Sequence, residues 1–318
     1  MLGFKLALAS KKMPRVAILM GTFNGENFLR EQLDSIAAQT HQNWVVVASD
    51  DGSSDATLEI LLEYQKQWGA GKLEIRDGPK QGFAHNFLSL ACDPNIKADY
   101  YAFCDQDDVW LPEKLAVAID HIETNANLNQ PYVYCGRTHY VSENLKPLGD
   151  SPLFVFPRAF RNALVQSIAG GNTMVFDTAT KSLLEKTGIF EVAAHDWWLY
   201  LLVKGVGGKV FYDQEPQILY RQHSGALIGS NNSASARFER IIWLMLGRFK
   251  RWNTLHVNAL AQIENVLTSE NRETFREFAR MRGSHILHRF RMIEVCGLYR
   301  QGWRGTISLY IAAILNKI

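Results

Sequence analysis

The chain has 318 residues, 47% hydrophobic and 21% charged, a make-up that excludes an intrinsically disordered protein and allows one sizeable core with a smaller second unit. Its net charge of only +2 argues against a nucleic-acid partner, but the charge is unevenly placed: 14 Lys and Arg against 6 Asp and Glu from Arg237 onward, and 20 against 26 before it. The four cysteines are scattered, with neither metal-like nor disulfide-dense spacing, and read as reduced thiols in a cytoplasmic protein.

Residues 1–13 read as an appended or alternative start, too short in apolar content for a secretory signal. "RVAILMGTF" (15–23) is a short apolar run, followed by Leu29, Leu33 and Ile36 at helical spacing. "NWVVVASDD" (43–51) repeats the strand pattern, is punctuated by Gly52, and gives way to a helix from Asp55. "KLEIRDG", "GFAHNFLSL", "DYYAFCDQDD" and "PEKLAVAIDHIE" continue the alternation. Short connections between alternating strands and helices predict an α/β fold, a mainly parallel sheet flanked by helices. Residues 142–163 hold three of the nine prolines and read as a mobile loop. "GGNTMVFD" reads as a strand, "HDWWLYLLVKG" as a short helix and "GKVFYDQEPQILYRQH" as a strand or hairpin. From Ala236 the composition becomes helical and basic. The expected organisation is therefore an α/β unit over 14–232 and a C-terminal helical extension over 233–318. No stretch reaches the roughly 20 apolar residues of a membrane span.

Ligands of parallel sheets bind at the carboxyl ends of the strands, and three polar clusters fall there: "GTFNGE", "SDDGSSD" and "DQDD". The last has Asp105, Asp107 and Asp108 in four residues with no basic side chain before Pro112. Crowded carboxylates need a cation. A hard divalent ion, Mg2+ or Mn2+, held by one or two carboxylates and completed by substrate phosphates, meets that need. Asp50 or Asp51 can accept from a base N–H or a ribose hydroxyl, and Thr22 and Asn24 suit a nucleotide edge. Turn and helix-cap roles explain Gly52 and Asp55 without them.

"GTFNGENFLREQLDSIAAQT", "WVVVASDDGSSDATLEIL", "ADYYAFCDQDDVWLPEKL" and "HDWW…YRQH" resemble family 2 glycosyltransferases of the GT-A fold, most closely bacterial rhamnosyltransferase-like members, over roughly 14–230. The resemblance implies that Thr22, Asn24, Glu26, Asp50 and Asp51 line the nucleotide pocket. It places Asn86 near the donor, Asp105 near the ribose or phosphates, and Asp107 as the main metal ligand. Asp108 becomes a supporting or helix-capping carboxylate. Asp196 falls at the general base, and Arg221 and His223 where the family closes over the diphosphate, His223 sometimes completing the metal shell. The implied donor is a dTDP or UDP sugar, rhamnose from dTDP-rhamnose being the specific expectation. The implied acceptor is a saccharide, lipid-linked if the chain meets a membrane.

Two readings stay open for Trp197 and Trp198, a sugar-facing pair on the acceptor side or core aromatics. Two also stay open for "ARFERIIWLMLGRFKRWNTLHV" (236–257): a helical cap on the catalytic unit, or a peripheral contact with the inner face of the cell membrane. Competing functions are a haloacid-dehalogenase-like phosphohydrolase, with Asp105 as nucleophile in "DQDDV", and a non-catalytic nucleotide-sugar-binding protein.

Overall fold

A computed structural model describes residues 13–127, 130–223 and 247–318. Most of the expected start segment, the 232/233 boundary and residues 236–246 of the basic stretch lie outside the described residues. Strands β1 (Val16–Thr22), β2 (Trp44–Asp50), β3 (Leu73–Asp77) and β4 (Tyr100–Cys104) run parallel, linked by helices α1 (Leu29–Ala37), α2 (Thr57–Trp68) and α3 (Phe83–Ala91). All of β2 and nearly all of β1 is buried, because helices cover both faces of the sheet and a continuous apolar run then has somewhere to go on either side. The pleat divides these residues between two layers. Ala17, Leu19, Val45, Val47 and Phe103 enter one core, and Val16, Ile18, Met20, Val46 and Ala48 the other.

The sheet has seven strands in the order β10-β6-β9-β4-β1-β2-β3, adding β6 (Tyr132–Gly136), β9 (Val175–Asp177) and β10 (Lys209–Asp213). Among the described residues only β9 runs antiparallel to its neighbours β4 and β6, so the sheet is mainly parallel as expected. The chain lays β2 and β3 on one side of β1 and then places β4 on the other. Strand order therefore reverses between β1 and β4, and a crevice opens at their carboxyl ends.

A second sheet has the order β5-β11-β7-β8, from β5 (Val109–Trp110), β7 (His139–Ser142), β8 (Pro147–Asp150) and β11 (Ile218–Gln222). Two expectations change here. Residues 209–222 are not a hairpin: β10 pairs with β6 in the first sheet, and β11 crosses to the second. The proline-rich segment is not simply loop, since β8 forms within it and the helix α5 (Phe160–Ala163) closes it. Pro147 is tolerated because β8 is an edge strand. The pairing of β11 with β5 has the larger consequence, because it brings "YRQH" against "DQDD" across more than 110 residues of sequence.

Helices α4 (Lys114–Asn125), α6 (Thr178–Thr187) and α7 (His195–Gly205) complete the helical layers of this unit. Four more follow among the described residues: α8 (Arg248–Gln262), α9 (Ser269–Arg282), α10 (Ile286–Val295) and α11 (Trp303–Ile314). Phe249, Leu260, Phe275 and Phe278 belong to the same core as Ala17 and Leu199. The described part of the basic stretch is thus a cap. Phe249 lies nearly parallel to Trp197, with centroids 6.4 Å apart, and Arg300 covers Phe249 at 4.3 Å.

Candidate active site

The first two strand-end loops are laced together. Thr22 Oγ1 donates to Asp50 Oδ2 at 2.9 Å, and Asp50 also accepts from Ser53 N at 2.8 Å and Ser53 Oγ at 2.6 Å. Asn24 adopts a left-handed conformation, φ 48°, which Asn tolerates better than most residues. Its Oδ1 accepts from Ser54 N at 2.9 Å, while Glu26 accepts from Ala56 N at 3.0 Å at the start of α2. Asp51 accepts from Lys80 N at 2.6 Å and Gly82 N at 2.9 Å, tying in the loop before α3. Asn86 is buried and exchanges two hydrogen bonds with Ser49, joining α3 to β2. Of these six residues, Thr22, Asp50 and Asn86 are buried and shape the rim from within; Asn24, Glu26 and Asp51 reach solvent.

Gln106, inside the acidic motif, was given no role from sequence. It clamps the backbone of Phe23 from both sides, accepting from its N–H at 2.8 Å and donating to its carbonyl at 2.9 Å. That joins the tips of β1 and β4 across the crevice. Phe23 itself is 56% exposed there, an aromatic ring held at the strand tip.

At the tip of β4, Asp107 and His223 are adjacent, Oδ2 to Nε2 at 2.9 Å. The His223 ring also rests against Phe28 at 4.9 Å. Asp105 makes no side-chain hydrogen bond among the described residues. Burial, then the charges of Asp107 and Asp196, push its carboxyl up to about 8. Asp108 is fully buried and raised, first by burial. It accepts from Arg221 N at 3.2 Å and from Asn172, and so ties β11 and the turn before β9 to the motif. It caps no helix: Glu113 precedes α4. Sequence reading also overlooked Lys114, whose buried ammonium lies 3.7 Å over the Trp110 ring without a hydrogen-bond partner among the described residues. Burial holds it down to about 7, against the nearby charges of Cys104 and Asp108.

Asp196 opens α7 and accepts from Gly171 N at 3.1 Å. Burial raises its carboxyl to about 6, opposed by the backbone donors of Trp197 and Gly171. Behind it His195 is buried, stacked on Phe87 at 4.0 Å, with neither ring nitrogen hydrogen-bonded among the described residues. Burial keeps that ring neutral by lowering it to about 3.

Two expectations need correction. Trp197 and Trp198 are core aromatics, not an acceptor-side pair. Trp197 donates Nε1–H to Ala163 O at 2.7 Å and packs on Phe249 and His256, while Trp198 is fully buried against Phe190. On a helix covered on nearly all sides, neighbours of Asp196 turn inward. Arg221 is not a free cation over the crevice either. It is 1% exposed, donates to Asp107 O at 2.8 Å, to Glu143 O and to Glu31, and stacks on Phe28 at 4.5 Å.

No group of three or more His, Cys, Asp or Glu poised as a ready-made metal cluster exists among the described residues. The donor set is instead a carboxylate and an imidazole side by side, with Asp105 nearby. Such a partial site fits a Mg2+ or Mn2+ ion that takes its remaining ligands from phosphate oxygens and water. A cleft of about 700 Å³ at the opposite, amino ends of the strands, beside Arg15, Trp44 and Tyr100, holds none of these groups.

Residues 17–184 match the family described as Glycosyl transferase family 2. The chain is 30% identical over 251 residues to the dTDP-rhamnosyl transferase RfbG of Shigella flexneri, covering 76% of this chain and 84% of that protein. It is 27% identical over 253 residues to the uncharacterized glycosyltransferase RT0329 of Rickettsia typhi, covering 75% and 72%. Among solved structures, S. aureus TarS 1-349 in complex with UDP-GlcNAc superposes with a TM-score of 0.55 at 15% identity, over 94% of this chain and 90% of that one. The mannosyltransferase PcManGT of Pyrobaculum calidifontis, in complex with GDP-Man and Mn2+, gives 0.52 at 17% identity, over 96% and 86%. These two likenesses speak to the fold.

Proposed function

Because the chain belongs to glycosyl transferase family 2, we propose that it is an inverting, metal-dependent glycosyltransferase. It moves rhamnose from dTDP-rhamnose to a saccharide hydroxyl in the assembly of a bacterial surface polysaccharide. The donor follows the name of the Shigella relative; a UDP sugar is the second choice, as in the TarS complex. The observation that carries the reading is the meeting of Asp105, the Asp107–His223 pair and Asp196 at one crevice, with Arg221 turned away to hold it.

Asp107 and His223 would hold the ion, which when bound offers positive charge to the departing diphosphate. Asp105 sits toward ribose and phosphates. Asp51 and Asn24, whose side chains reach solvent, take the base edge, and Phe23 offers it a ring. Thr22, Glu26, Asp50 and Asn86 keep those loops in place, and Arg221 positions Asp107. Asp196 accepts the proton of the acceptor hydroxyl. The hydroxyl oxygen bonds to the anomeric carbon, the carbon–oxygen bond to the diphosphate breaks, and its electron pair leaves with the nucleoside diphosphate. A single base opposite a single leaving group gives one displacement and inversion. The domain division at 232/233 is kept as organisation, with the extension sharing the catalytic core.

A phosphohydrolase using Asp105 is set aside: the motif lies on the fourth strand, and the family is one of glycosyltransferases. The test is acceptor-dependent release of nucleoside diphosphate from dTDP-rhamnose and UDP sugars, with and without Mn2+. Asp107→Ala should abolish both turnover and metal-dependent thermal stabilisation by the nucleotide. Parental behaviour of Asp107→Ala would overturn the reading. Unchanged turnover in Asp196→Asn with binding intact would favour a non-catalytic binder.

A further inference from the structure

Nine of the nineteen large hydrophobic side chains exposed among the described residues fall within residues 286–315. Scattered exposure is ordinary, but concentration on one surface marks an interaction site. On α11, Trp303, Ile307, Ile311 and Ile314 are spaced 4, 4 and 3 residues apart and so share a face, while Leu309, Ala312 and Ala313 are buried. On α10, Leu287 is 79% exposed and Phe290 and Val295 also reach solvent, whereas Met292 and Ile293 are buried. Phe290 and Tyr310, 4.8 Å apart, join the two rows.

The surrounding charge decides the occupant. Of the five Lys and Arg in residues 284–318, Arg289 is buried on backbone carbonyls and Arg300 is turned onto Phe249, while Arg291 and Arg304 are exposed beside the apolar rows with Glu294 the one acidic residue of the segment. Two copies of this surface would bring like charges together. An anionic bilayer offers both an apolar interior and a complementary headgroup layer. No helix among the described residues is long and apolar enough to cross a membrane. We propose that the α10–α11 surface docks on anionic phospholipid, with the helices lying in the headgroup plane. The contact thereby falls on α10–α11 rather than on α8, whose apolar side is used in the core. It does not depend on the identity of donor or acceptor.

The full chain is mixed with phosphatidylcholine vesicles, with and without phosphatidylglycerol, and sedimented. Binding is expected only where phosphatidylglycerol is present, weakening as salt rises. Leu287→Gln/Trp303→Gln/Ile307→Gln should weaken it by about 100-fold or more, since each substitution removes apolar area that the bilayer would bury. Arg291→Gln/Arg304→Gln should weaken it by about 30-fold at near 1 kcal/mol per charge. Unchanged thermal unfolding of both variants shows that the fold survives. Equal binding to neutral vesicles, binding indifferent to the apolar substitutions, or concentration-dependent self-association that the triple substitution removes without any vesicle binding would each overturn the proposal.

Discussion

Arg221 Nε donates to the main-chain carbonyl of Asp107 at 2.8 Å. The same guanidinium pairs with Glu31 on α1, donates to Glu143 O and stacks on Phe28, so one buried side chain from β11 fixes the backbone that presents Asp107. Lysine carries the charge but not the planar fork. Arg221→Lys is therefore expected to weaken Mn2+-dependent nucleotide binding by about 10–100-fold, the usual cost of losing a group that orients a ligand. Thermal stabilisation by dTDP across a Mn2+ titration measures it. If Arg221 instead served as a mobile charge on the diphosphate, lysine would restore most of the affinity.

As the proposed general base, Asp196 sets the expected pH dependence. Burial lifts its folded carboxyl to about 6, and a general base acts only when ionised. Turnover should therefore be flat above that value and fall about tenfold per unit as pH drops below it. Asp196→Asn should lower kcat by about 10²–10⁴-fold while leaving the metal–nucleotide thermal shift in place. A rate that stays level down to pH 5 would contradict the assignment.

The order of β1 to β4 was legible because both-face burial writes continuous apolar runs, and the helices between them keep a 3.6-residue rhythm. Asp107 and Asp196 stood out in the sequence for the same reason: charge at a strand tip or helix start is conspicuous against apolar neighbours. What sequence could not show was the β5–β11 pairing. β5 is only two residues long, Val109 and Trp110, and its partner lies over 100 positions away. Without that pairing Arg221 reads as a free cation, and the bonds of Asp108 to Arg221 N and Asn172 are invisible. Gln106 escaped notice because its role is toward backbone, at Phe23, and backbone partners leave no mark in composition. Trp197 and Trp198 were ambiguous because their helix is buried almost all round, which removes the amphipathic rhythm that tells inside from outside.

The position of Trp197 yields a test that separates packing from sugar recognition. Its ring lies against Phe249, Trp252 and His256, and its Nε1–H reaches Ala163 O. Trp197→Ala should destabilise the fold by about 3–5 kcal/mol. Trp197→Phe should lower the unfolding temperature while the acceptor KM stays within about twofold, a core swap of this kind leaving the crevice intact. An acceptor KM raised tenfold in the Phe variant would return the residue to the acceptor side.

Gly171 sets the environment of Asp196 through a contact that no side chain could share. A Cβ there would stand 2.2 Å from His195 Nε2 and 3.0 Å from its Cε1. The imidazole has little room to yield, stacked on Phe87 at 4.0 Å and edge-on to Phe103 at 4.7 Å. Gly171→Ala should therefore cost about 1–3 kcal/mol from overpacking, visible as a lower denaturation midpoint. It should also displace the Gly171 N–H that donates to Asp196 Oδ2 at 3.1 Å. That donor favours the ionised carboxylate, so losing it moves the Asp196 carboxyl further up and shifts the acid limb of the rate profile to higher pH. Shortening the obstructing ring in Gly171→Ala/His195→Ala gives the methyl room and should bring the limb back toward that of the parent, although the enlarged cavity leaves the protein less stable. A Gly171→Ala protein whose pH profile matches the parent would show that this hydrogen bond does not tune Asp196.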